Sequence, residues 1–115
     1  MTYALRFAKR AAETLRDLER GDPNQLAKLT KVRRALKRLE ENPRHPGLHS
    51  HLYESFPVDR DVKVWDSYVE NNTPGAWRIF WQYGPDNPAS SQRVITVLAI
   101  SPHPLRPKRL PPERL

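Results

Sequence analysis

The chain has no cysteine among its 115 residues, which removes three kinds of chemistry at once. A disulfide framework, a thiolate zinc site and a cysteine nucleophile are all excluded. Long apolar runs are missing too, and none approaches the roughly 18 residues of a membrane span. The opening stretch MTYALRFAKRAAETL has no apolar core and breaks quickly into charge, so the sequence predicts a cytoplasmic protein without a secretory signal. Acidic residues are outnumbered by basic ones, 13 against 20, giving a formal net charge of +7. No repeat or composition break divides the chain, so residues 1–115 read as one domain. At this length it can bury about 65% of its unfolded surface and build a core without staples. The charge balance favours a polyanionic partner, either nucleic acid or an acidic protein.

Residues Tyr3 to Phe7 read as a short strand. Phe7, Ala11, Leu15 and Leu18 then form an apolar stripe at helical spacing, closed by Gly21. Asp22-Pro23 supplies an N-cap followed by proline at the first helical position. This second helix is predicted to bury Leu26, Leu29, Val32, Leu36 and Leu39, and to stop at Asn42-Pro43. Beyond Leu48 the chain turns to aromatic and β-branched residues, with strands predicted at 50–55, 62–69, 76–83 and 93–100. In the third of these, Trp77, Ile79, Trp81 and Tyr83 share one face, and Arg78, Phe80 and Gln82 the other. The run VITVLAI is apolar on both sides, as expected of a central strand. The tail from about Pro102 holds five of the twelve prolines and is basic. The order β-α-α-β-β-β-β predicts an α+β fold, two helices packed on a small, mostly antiparallel sheet of four to five strands.

Several residues could carry chemistry. Lys31, Arg34 and Arg38 share one helical face, either a solvated surface or a footprint for phosphate or an acidic segment. His49 and His51 sit two apart on a predicted strand and so on one face. They lack the third ligand a metal pair needs, and read as a surface or RNA-facing pair instead. Arg78 lies mid-strand among apolar residues, where a charge is costly without a partner or a task. It is either paired with Asp66 or Glu54 on a neighbouring strand, or functional. His103 sits between two prolines just past the last strand, a stiff mount for a group that titrates near neutrality. Trp65, Trp77 and Trp81 offer apolar anchors for a partner.

The element order, the string NPRHPGL, the strand PGAWRIFW and the ending VLAISPHP together resemble the RelE/ParE superfamily of type II toxin–antitoxin toxins, over roughly Tyr3 to Pro104. The resemblance implies a toxin held by a cognate antitoxin, in a hetero-oligomer, that cuts messenger RNA at the ribosome. The nucleophile is then the RNA's own 2′-hydroxyl, and no metal or other cofactor is implied. The family's phosphate-steadying strand arginine falls on Arg78, its basic group after the last strand on His103, and a phosphate-contacting lysine on Lys63. Arg106 stands behind His103 as a further backbone contact. Trp65 replaces a second lysine of the family, no tyrosine occurs in the tail, and no glutamate stands at 49–51. The same superfamily contains gyrase poisons that need no catalytic residues, and a non-catalytic antitoxin-binding protein is a third possibility.

Overall fold

The computed structural model describes residues 2–54, 61–71 and 73–102. Strand β1 (Ala4–Phe7) leads into α1 (Lys9–Glu19) and α2 (Pro23–Glu41). Strands β2 (His51–Leu52), β3 (Trp65–Tyr68), β4 (Trp77–Tyr83) and β5 (Val94–Pro102) follow. They form one sheet in the order β1-β5-β4-β3-β2, with β1 and β5 parallel and the other pairs antiparallel. The α+β architecture is the expected one. Strand β5 lies inside the sheet, flanked by β1 and β4, while the middle position belongs to β4.

The start of α2 shows how closely local chemistry sets the boundaries. Asp22 accepts the Gln25 N–H and the Gln25 side chain accepts the Asp22 N–H, both at 2.9 Å, a reciprocal cap with Pro23 at the first turn. Both helices pack on one face of the sheet. Ala11 and Leu18 of α1, and Leu29, Val32, Leu36 and Leu39 of α2, meet Ile79, Trp81, Ile95, Val97 and Ile100. Leu48, carried by a 3₁₀ turn over Pro46–Leu48, closes the same core.

On the opposite face Val64, Phe80 and Ala99 form a second buried cluster with Tyr53, Val62 and Leu98 against it. The alternation predicted for β4 is therefore observed. A bulge separates the two faces of β5: Val97 pairs with Trp81 and Ala99 with Phe80, leaving Leu98 as the extra residue. That shift of parity puts Ile95, Val97 and Ile100 on the helix side together.

Four local expectations are corrected. Leu26, in the first turn of α2, is 45% exposed, while Ala35, not expected inside, is buried. Phe7 is also exposed, since the chain is still extended there and the helix begins only at Lys9. The strand expected over 50–55 shortens to His51–Leu52, although the Tyr53 N–H still bonds the Val64 carbonyl. Trp81 is fully buried core and no anchor for a partner, while Trp65 and Trp77 remain partly exposed.

Candidate functional site

Arg78 projects from β4 onto the face away from the helices, the side of Phe80. Its register partner is Tyr68 on β3, so Asp66, two residues earlier, lies diagonally across on the same face. The Arg78 Nη1 donates to both carboxylate oxygens of Asp66, at 3.3 Å each. The guanidinium carbon lies 3.7 Å from the centre of the Tyr68 ring, a cation–π contact. Only 12% of the Arg78 side chain is exposed, and Asp66 is completely buried. The Arg78 Nε is buried as well and has no hydrogen-bond partner among the described residues. The guanidinium is thus held by one nitrogen and one face, leaving an N–H unanswered.

His49 and His51 converge on the same place by different means. His49 ends the 3₁₀ turn in the left-handed region, with φ of 48°, and is not on a strand. Such a backbone is uncommon for a residue with a side chain. It lays the His49 ring against Tyr68, centroids 4.8 Å apart. His51 stands on β2 opposite Asp66, with its Nε2 3.4 Å from Asp66 Oδ2 and its Nδ1 2.9 Å from the His49 carbonyl oxygen. The site is therefore a five-residue cluster of Arg78, Asp66, Tyr68, His49 and His51, built from three adjacent strands and the corner before them. The pairing of Arg78 with Asp66, weighed from sequence, is present. Tyr68 was not singled out there, although its spacing of two from Asp66 already puts both on one face.

Of the other predicted site residues, Lys63 is exposed just before β3 and makes no ion pair among the described residues. His103 and Arg106 lie outside the described residues. Ser101 on β5 is the register partner of Arg78. No group of three or more potential metal ligands occurs among the described residues.

A second charged cluster sits where α2 meets the hairpin joining β3 and β4. Glu70 receives hydrogen bonds from Lys28, from Lys31 at 3.2 Å and from the Trp77 N–H at 3.1 Å. Burial alone would raise the Glu70 carboxyl. The bonds from Lys28, Trp77 and Lys31 outweigh it and hold the group below the ordinary carboxylate value.

No family model matches the chain, and no curated protein matches it. Among solved structures it is similar to the YoeB dimer from Staphylococcus aureus, with a TM-score of 0.59 and 12% identity, covering 90% of this chain and 99% of that one. The two helices and the five-stranded mixed sheet are therefore the fold of that YoeB structure.

Proposed function

We propose that the protein is the toxin of a type II toxin–antitoxin module and acts in the cytoplasm as a messenger RNA endoribonuclease at the ribosome. The observation that carries this reading is Arg78. A nearly buried guanidinium, set on the helix-free face of a RelE-like sheet, has its orientation fixed by Asp66 and by the Tyr68 ring. A group held so rigidly is suited to charge that develops on a phosphate during reaction, because no reorganisation is needed at that moment.

The chemistry is a transesterification. The RNA 2′-oxygen bonds to the adjacent phosphorus and the bond to the 5′-oxygen breaks. One proton leaves the 2′-hydroxyl and one reaches the departing 5′-oxygen. Arg78 offsets the charge on the phosphorane-like transition state. His103 is the assigned proton-transfer group, a contribution of roughly 10²–10⁴ in rate. His51, Lys63 and Arg106 are assigned to the RNA backbone. A cognate antitoxin of acidic or amphipathic character complements the +7 surface.

A second reading draws on the same geometry. Asp66 neutralises much of the charge of Arg78, which suits a binding protein, such as a gyrase poison or a non-catalytic antitoxin binder. Inducible expression followed by primer extension across cellular messages, run beside a gyrase supercoiling assay, separates the readings. Cleavage ends that disappear in Arg78→Lys support the nuclease. Inhibited supercoiling with intact messages refutes it.

A further inference from the structure

Between the C-terminal half of α2 and the β3–β4 hairpin lies a cavity of about 260 Å³, lined by Lys31, Arg34 and Arg38 of the helix together with Gly47, Glu70 and Thr73. Spacings of three and four put the three cations on one helical face. Their charge is not balanced. Glu70 is answered by both Lys28 and Lys31, while Arg34 and Arg38 have no carboxylate partner among the described residues.

The Arg38 guanidinium lies beside Gly47: a methyl group added there would come within 2.8 Å of its Nη1. Tyr68 connects this cavity to the candidate site: it lines the cavity, and its ring carries the guanidinium of Arg78. Tyr68 is thus common to the cavity and to the Arg78 cluster.

We infer that this cavity is a second phosphate site, which holds a phosphodiester of the same RNA strand flanking the one bound at Arg78. The inference rests on the RNA reading of the Arg78 site. Paired guanidiniums match phosphate oxygens in a planar, two-pronged fashion. The volume accommodates such a group with bridging waters, each of which needs on the order of 30 Å³. A peptide carboxylate would answer the same charge, but the lining is mainly polar and lacks the apolar pocket that anchors peptide side chains.

The test is binding of a short single-stranded RNA, 2′-O-methylated throughout so that it has no nucleophile, to the full chain over a range of salt. Arg34→Gln and Arg38→Gln should each weaken binding by roughly tenfold, as charge-assisted contacts do. The double variant should lower the salt slope by about 0.7, the value of one phosphate on a single strand. Unchanged affinity in the arginine variants, with binding still sensitive to Arg78→Lys, overturns this inference alone. Equal binding of polyglutamate, lost in the same variants, reassigns the cavity to peptide. No RNA binding by the unaltered chain refutes this site and the nuclease reading together.

Discussion

Replacing Arg78 should cost stability before it costs anything else. Arg78→Met keeps most of the stem but leaves the fully buried Asp66 carboxylate without its guanidinium. Breaking a buried pair from one side costs about 3–5 kcal/mol, and His51, with its Nε2 3.4 Å from Asp66 Oδ2, still faces the carboxylate. Both bonds are 3.3 Å long, against about 2.8 Å for a strong charge-assisted bond. The lower end of that range, about 3 kcal/mol, is therefore the expected loss. With a urea dependence of about 1.5 kcal/mol per molar, the unfolding midpoint should fall by about 2 M. Asp66→Leu should lose a similar amount by stranding Arg78. The double variant Asp66→Leu/Arg78→Met removes both charges and should return to within about 1 kcal/mol of the parent. The stack of half-buried Trp65 on buried Trp81, 5.8 Å between centroids, makes fluorescence a direct reporter of these transitions. Additive losses in the double variant would refute the view that the pair is coupled, as would single variants within 0.5 kcal/mol of the parent, roughly the limit for surface substitutions. The double variant has a second use. If it is stably folded yet cuts no message, the loss of cleavage belongs to the missing guanidinium and not to unfolding.

Other expectations concern separate parts of the molecule. Glu70 has its folded pKa depressed below the unfolded value, so its contribution is complete above that value, 4.5 in the ordinary carboxyl, and is lost as pH falls through the folded one. Urea midpoints measured between neutrality and strong acid should therefore decline less steeply in Glu70→Gln than in the parent. Asp22→Ala removes the reciprocal cap of α2 and should cost about 1 kcal/mol, read as a thermal shift with no change in RNA binding. His103→Ala should lower single-turnover cleavage by roughly two to four decades with the melting temperature unchanged. A variant that retained full rate would remove His103 from proton transfer.

The candidate site was legible only to the depth that neighbouring residues allow. Strict alternation from Trp77 to Tyr83 was enough to put Arg78 on the helix-free face, because a strand's side chains alternate whatever the rest of the fold does. Nothing local could choose between Asp66 and Glu54 as its partner, or show that Tyr68 lies beneath the guanidinium. That choice is made by the β3–β4 register, which sets Tyr68 opposite Arg78 and Asp66 beside it. The expected shared face of His49 and His51 led to the right neighbourhood through the wrong geometry. Both rings reach Tyr68, but His49 does so from a left-handed corner after the 3₁₀ turn.

By itself the sequence determined what short-range chemistry controls. Asp22 and Pro23 start α2 and Asn42-Pro43 ends it, because capping and the loss of a proline N–H act within a turn. The element order and the α+β class follow from the change in apolar period near Leu48. Tertiary structure alone decided where charges came to rest. Glu70 meets Lys28 and Lys31 across 42 and 39 residues of chain, and Gly47 lies under Arg38. It also decided that Leu26, in phase with the apolar stripe, stays 45% exposed. Periodicity specifies a face; only packing specifies what that face meets, since a partner is chosen by distance in space and not along the chain.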